Sequence, residues 1–280
     1  MKTAKMFTEI IVLFLCVNVL LTVFLAVRFR KSVRSVWARI ENLQGQIQAS
    51  RIQSNTAMNA VYSELASQFH QKPVLFQSQH GEDVVLWKFF NRKTTGLCVE
   101  VGAFDGKQCS NTYAFEMLGW NCLLVEPDPE MAQRCHQNRP RSQVIQAAIG
   151  PASASGSVSF HKVRTDADWS GMMSFTDGNA DHLEKCRRMG AKIEQISVPY
   201  RSLNSVLGES DQVVDFISID VEGHELDVLD GLDLDRFRPT VIMTENTYDR
   251  ENDQVGNYLT CRGYKLHSTI GCNQLFVRSA

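Results

Sequence analysis

The chain has 280 residues, enough for one large domain or two small ones. A hydrophobic fraction of 44% supplies an ordinary globular core, and a net charge of −2 gives no sign of a nucleic-acid surface. The eight cysteines form no CxxC pair and no metal-ligand spacing, so a zinc module is excluded.

In chain order, Ile10 to Val27 is apolar except for Asn18 and Thr22, and with Met6 and Phe7 it approaches the length of one bilayer core, about 30 Å. Arg28, Arg30 and Lys31 follow it, where a cleaved signal peptide would carry small residues. Residues 1–30 therefore read as a single-pass anchor that meets the lipid bilayer through 6–27. The basic residues after it keep the C-terminal bulk in the cytosol by the charge rule. A Golgi or endoplasmic reticulum lumen placement is the alternative, because tail, anchor, stalk and domain is also the layout of many lumenal enzymes. Residues 31–72 read as a helical stalk, with Val33, Val36, Ile40, Leu43 and Ile47 spaced 3, 4, 3, 4 and the pattern partly resuming at Met58, Val61 and Leu65. A dimer through this stalk and a lone helix lying on the domain are equal readings.

Pro73 opens the main domain, 73–280. Ser78 to Phe90 reads as a helix capped by Ser78, Leu97 to Val101 as a buried strand, and Ser110 to Leu118 as a helix with Ser110 or Asn111 near its cap. Asn121 to Val125 is a second strand, Pro127 to Asn138 a helix, and Gln143 to Ile149 a third strand. Ser157 to Phe160 is a short strand. Arg164 to Gly178, with Trp169, Met172, Met173 and Phe175, reads as a lid or a surface loop. Alternation restarts at Val198 to Leu207. Val213 to Asp220 is a strand, Val221 to Leu232 a helical run, and Thr240 to Thr244 a strand. Asp253 to Arg262 is a helix stopped by Gly263, and an antiparallel pair, Tyr264 to Ser268 and Gln274 to Arg278, closes the domain. Alternating β and α predicts a doubly wound, Rossmann-like α/β sheet.

Strand, glycine turn, helix, strand, acid is the layout of a nucleotide-binding βαβ unit, here from Leu97 to Glu126. Gly102 and Gly106 allow a sharp turn and close approach of a ligand. Glu126 ends the second strand, where a carboxylate accepts from both hydroxyls of a ribose. The spacing is G-x-x-x-G rather than G-x-G-x-x-G, and Asp105 in the turn would repel a pyrophosphate. These features favour S-adenosylmethionine, which has a ribose, an ammonium and a sulfonium, over a dinucleotide. A second cluster, Asp220-Val221-Glu222-Gly223-His224-Glu225, packs ionisable groups into a strand-to-helix turn. Helix-dipole stabilisation accounts for Glu222 and Glu225 but poorly for His224. Asp220, Glu222 and His224 are the candidate catalytic bases. The same turn with Glu245 offers a Mg²⁺-type site, ranked below a metal-free reaction because His224 supplies a base without it.

The runs VEVGAFDGKQCSNT, LLVEPDP and DFISIDVEGHE, with SQHGED ahead of them, resemble the FkbM family of S-adenosylmethionine-dependent methyltransferases over Ser78 to Arg278. The turn departs from that family's commoner DVGANxG form at Glu100 and at Phe104-Asp105. The resemblance implies a seven-stranded methyltransferase sheet. It implies a cofactor site at Glu100, Gly102, Ala103, Asp105, Gly106, Asn111, Thr112, Glu126 and Asp220. It also implies O-methylation of a small-molecule or glycan hydroxyl. The sequence is similar as well to the membrane-anchored Star-like branch, which implies a non-catalytic adaptor in secretory trafficking as the alternative.

Overall fold

The computed structural model describes residues 28–31, 39, 50, 53–166, 170–209, 213–246 and 253–279. The chain divides into two compact units, Met1–Ser54 and Asn55–Ala280. The apolar segment 6–27 lies outside the described residues, and among the described residues no helix is long and apolar enough to cross a membrane. The residues of the first unit that are described are helical.

Helix α1 is described over 53–70, and the second unit opens within it at Asn55. It is followed by α2 (Glu82–Phe89), β1 (Leu97–Val101), α3 (Tyr113–Leu118), β2 (Asn121–Val125), α4 (Pro129–Asn138) and β3 (Gln143–Ile145). After the strands β4 (Ala148–Gly150), β5 (Ser157–Arg164) and β6 (Phe175–Thr176) come α5 (Ala180–Arg188) and β7 (Lys192–Ser202). The chain then returns through α6 (Leu203–Leu207), β8 (Phe216–Ile219), α7 (Glu225–Asp230), α8 (Leu234–Phe237) and β9 (Val241–Glu245). It ends with α9 (Gln254–Thr260), β10 (Tyr264–Ile270) and β11 (Asn273–Arg278).

Seven of these strands form one mixed sheet in the order β10-β11-β9-β8-β1-β2-β3. Strands β3, β2, β1, β8 and β9 run parallel, and β11 and β10 close the edge antiparallel. The run LCVEV is apolar on both sides because both faces of the sheet are covered. Val99 and Val101 enter one core with Ile217, Ile219, Val228 and Leu259. Cys98 enters the opposite core with Phe115, Trp120, Phe216 and Leu86. The chain winds from β1 outward to β3 and then returns to β8 on the other side of β1. Strand order therefore reverses between β1 and β8, the place where such sheets bind ligands. Register fixes what stands there. Val101 is level with Val125 and Ile219, and Ile219 is level with Thr244. The next residues, Gly102, Glu126, Asp220 and Glu245, consequently leave the sheet along one edge.

Several expectations need correction. The helix expected from Ser78 begins at Glu82, because the buried Asp83 carboxylate accepts from the N–H groups of Gln77 and Ser78 and from Ser78 Oγ, curling 77–81 into a turn. The strand expected over Gln143 to Ile149 is two strands, β3 on β2 and β4 on β7. A second sheet, β4-β7-β5-β6, was not expected at all. Most residues of β5 and β7 are partly exposed on both faces, so their sequences carry no clean two-residue period. Of the segment expected as a lid or loop, Arg164 and Phe175–Thr176 join this sheet and Ser170–Met173 forms a short 3₁₀ turn. Met173 and Phe175 are buried against Val163 and Cys186, and Trp169 lies outside the described residues. The described end of the stalk, α1, lies on the domain. Asn59 donates to the Ser78 carbonyl, Ser63 Oγ accepts from Phe76 N–H, and Ala66 is fully buried.

Candidate active site

The turn after β1 is built for close approach. Gly102 has φ 84°, and a Cβ there would lie 1.8 Å from the Asp220 carbonyl oxygen. Asp220 N–H donates to the Val101 carbonyl, so the ends of β1 and β8 are laced together beneath the turn. Gly102 and Ala103 both donate to the Val125 carbonyl. Phe104, at φ 50°, donates its N–H to Glu126 Oε2 at 2.8 Å, and Asp128 donates to Glu126 Oε1 at 2.9 Å. Each oxygen of the buried Glu126 carboxylate is thus oriented by one backbone donor and keeps a lone pair for a second. Burial pushes this carboxyl up to about 8, against the pull of those two donors.

The other residues expected to touch a cofactor divide into two groups. Gly102, Ala103, Glu126 and Asp220 meet at the switch point. Glu100, Asn111 and Thr112 are buried and fasten the loop. Glu100 accepts from Ser110 Oγ, Asn111 N–H and Thr112 Oγ1 at 2.6–2.7 Å. Asp105 also turns inward, accepting from the N–H groups of Lys107 and Gln108. Its carboxylate is used to shape the turn, which is a different reason for its presence from repulsion of a pyrophosphate. Gly106, at φ 75°, packs on α4, where a Cβ would lie 3.1 Å from Arg139 Cγ.

Sequence reasoning missed Arg139. Its guanidinium is fully buried, pairs with Glu116 at 2.9 Å and lies 3.9 Å from Glu100. It also donates to the Gly106 and Thr112 carbonyls and to Thr112 Oγ1. No local pattern distinguishes this arginine, just past a helix end, from a solvated one.

Across the switch point, Asp220 is open to solvent but densely surrounded. Crowding by protein atoms, then the charges of Glu245, Glu222, Glu225 and Glu100, hold its carboxyl well above the usual range. Asp220, Glu222 and Glu245 each offer an oxygen within 4.8 Å of the others, the only such grouping among the described residues. The turn is shaped by Glu222 at φ 56° and Gly223 at φ 102°. Glu225 Oε1 accepts from Val221 and Gly223 N–H, and Asn179 Nδ2 donates to the Glu222 carbonyl. His182, buried on α5, places Nδ1 3.5 Å from Glu222 Oε2 and Nε2 2.8 Å from the Met173 carbonyl. Helix α5 and its N-cap Asn179 therefore brace the turn that carries Glu222, a contact between residues 40 or so apart that sequence cannot show.

The sequence of this unit matches the methyltransferase FkbM domain over residues 100–266. The chain belongs to the FkbM methyltransferase family. No curated protein matches it. Among solved structures, an O-methyltransferase from Bacillus cereus in complex with SAH is 14% identical, with a TM-score of 0.38 over 81% of this chain and 100% of the other. A ribosomal protein L11 methylase from Lactobacillus delbrueckii subsp. bulgaricus is 10% identical, TM-score 0.39, over 71% and 77%. The C-terminal domain of precorrin-6Y C5,15-methyltransferase from Rhodobacter capsulatus is 10% identical, TM-score 0.35, over 70% and 85%.

Beside the FkbM turn lies an open pocket of about 240 Å³, lined by residues that include His224, Asp227, Glu245, Asn246 and Gln254. His224, one of the three candidate bases, is held on both sides of its ring. Nδ1 is 2.9 Å from Asp227 Oδ2, while Nε2 is buried without a hydrogen-bond partner. Gly178 covers the ring so closely that a Cβ would lie 3.2 Å from Cε1. The Asp227 hydrogen bond raises the imidazole pKa, and burial opposes it.

Proposed function

We propose that this FkbM domain binds S-adenosylmethionine at the β1–β8 switch point and methylates a hydroxyl of a small molecule or glycan. The observation that carries the reading is the pairing of Gly102 with Glu126. One removes the Cβ that would block the crevice, and the other offers a carboxylate already oriented for a ribose diol. The donor set also fits the rest of that cofactor, since Asp220, Glu222 and Glu245 make a field suited to an ammonium and a sulfonium. When bound, S-adenosylmethionine supplies a methyl group activated for in-line displacement. The protein's tasks are then alignment and removal of one proton.

We assign the proton to Asp220. Its carboxyl is accessible and has a raised proton affinity, which suits a base for a weakly acidic hydroxyl. Asp220 would accept the proton of the acceptor hydroxyl, and the cofactor, when bound, would supply the activated methyl group and a thioether leaving group. Glu222 sustains the local charge. His224, held by Asp227, walls the acceptor side. The pocket lining carries Glu225, Asp227 and Glu245, which fits neutral or cationic acceptors better than anionic ones.

The test is calorimetry with S-adenosylmethionine, followed by a methyl-transfer screen over sugars and small alcohols. Asp220→Asn should cut turnover by about 10²–10⁴-fold, and His224→Ala should cost less than Asp220→Asn. The reverse order would assign the base to His224. Absence of cofactor binding in the wild type would end the enzymatic reading. Bilayer attachment through 6–27 has no support among the described residues and rests on the hydropathy of that segment alone.

A further inference from the structure

Helix α1 has two unlike faces. Inward it presents Asn59, Ser63 and Ala66 to the domain. Outward it presents Met58, Val61, Leu65 and Phe69, which are 38%, 59%, 50% and 60% exposed. Spacings of 3, 4 and 4 place these four on one stripe. Leu75, just beyond the helix, is also exposed. Residues 53–70 contain a single charged side chain, Glu64. A solvated helix face carries many Lys and Glu, whereas depletion of charge marks the core of an interface.

The sequence upstream indicates what covers the stripe. Val33, Val36, Ile40, Leu43 and Ile47 repeat at heptad spacing, and Val61 falls two heptads beyond Ile47. In the sequence Val61 thus keeps the register of the upstream stripe, across an interruption at Ser50, Ser54 and Ala57. The 4, 4 spacing from Val61 to Phe69 is the kind of stutter that lets a left-handed seam straighten. A heptad seam is buried by a like helix packed alongside. We propose that this stripe is a homotypic interface, through which two copies of the chain pair by parallel α1 helices. Under two-fold symmetry Val61, Leu65 and Phe69 of one copy meet the same residues of the other.

A lipid surface fits less well. Helices that lie in a membrane interface are rich in Lys and Arg on the polar face, and 53–70 has neither. Of the nearby cations, Lys88 lies over the Tyr62 ring at 4.0 Å and Arg92 caps Phe69, at one end of the stripe, at 5.3 Å.

The test uses the full chain in detergent micelles. Oxidation of Val61→Cys should yield a disulfide-linked dimer on a non-reducing gel. Wild type and Arg262→Cys, whose added thiol is exposed but remote, should not. By sedimentation equilibrium the wild type should have twice the monomer mass. Val61→Glu combined with Leu65→Glu should raise the dimer dissociation constant by about tenfold or more. A monomeric wild type at tens of micromolar, or Val61→Cys cross-linking no faster than Arg262→Cys, would overturn the proposal. It would equally be overturned if the wild type is monomeric but binds phosphatidylcholine–phosphatidylserine vesicles and the double variant does not.

Discussion

Binding of a ribose at Glu126 should expel a proton. The carboxyl is held at about 8 in the free protein, against an ordinary 4.5. Two ribose hydroxyls can donate only to the ionised form, so the ligand selects the deprotonated protein. Below about pH 8 the dissociation constant should then rise about tenfold per pH unit, which amounts to roughly 50-fold between pH 8 and pH 6. An acid with an ordinary pKa would give a flat line over that range. Adenosine is the proper probe, because it has the ribose diol and no group of its own that titrates there. Calorimetry in two buffers of different ionisation enthalpy should count close to one proton released per adenosine at pH 6.5, and Glu126→Gln should release none. Folding has the corresponding sign. The folded state favours the neutral acid, so this group's contribution to stability is full below about pH 4.5 and is lost as pH rises towards 8. A pH-independent affinity with equal heats in both buffers would refute a raised Glu126 acid that the ribose must ionise, and an unchanged adenosine affinity in Glu126→Gln would refute the placement of the ribose.

Gly102→Ala should lose about 1–2 kcal/mol from its left-handed backbone alone, and more from the collision with the Asp220 carbonyl, as read by urea unfolding. Wild-type stability in that variant would remove the close approach. Arg139→Met should cost about 3–5 kcal/mol by leaving the buried Glu116 with only Ser142 and the more distant Arg141, and Arg139→Lys should restore little because the five-donor fork is lost. Wild-type stability in Arg139→Met would refute this. Glu126→Ala should weaken S-adenosylmethionine binding by about 1.5–3 kcal/mol, measured by calorimetry. A fragment starting at Lys72 should be less stable than one starting at Asn55 by about 1–3 kcal/mol, from the lost hydrogen bonds of Asn59 and Ser63. Equal urea midpoints would show that α1 contributes nothing to the domain.

The sequence by itself determined the alternating elements, the glycine turn and the acids that end strands. Each of these is a local signal. Strands buried on both faces read as apolar runs, and a position that must take φ 84° against a carbonyl is held by glycine. Glu126 and Asp220 were legible because an acid closing an apolar run stands out from its neighbours. Only the tertiary structure decided what lies between distant segments. Glu100, Asn111 and Thr112 were expected to face a ligand, and it is Arg139, 27 residues after Thr112, that ties their loop together. His182 and Asn179 reach Glu222 from α5 and its N-cap, across 40 or so residues, and nothing local in the sequence announces that contact. His224 was legible as one candidate base, and only the fold placed Gly178 over its ring and Asp227 beside it. Periodicity along a chain reports which side of an element is buried. It does not report which buried groups meet, because pairings across 20 to 190 residues are fixed by sheet order and packing.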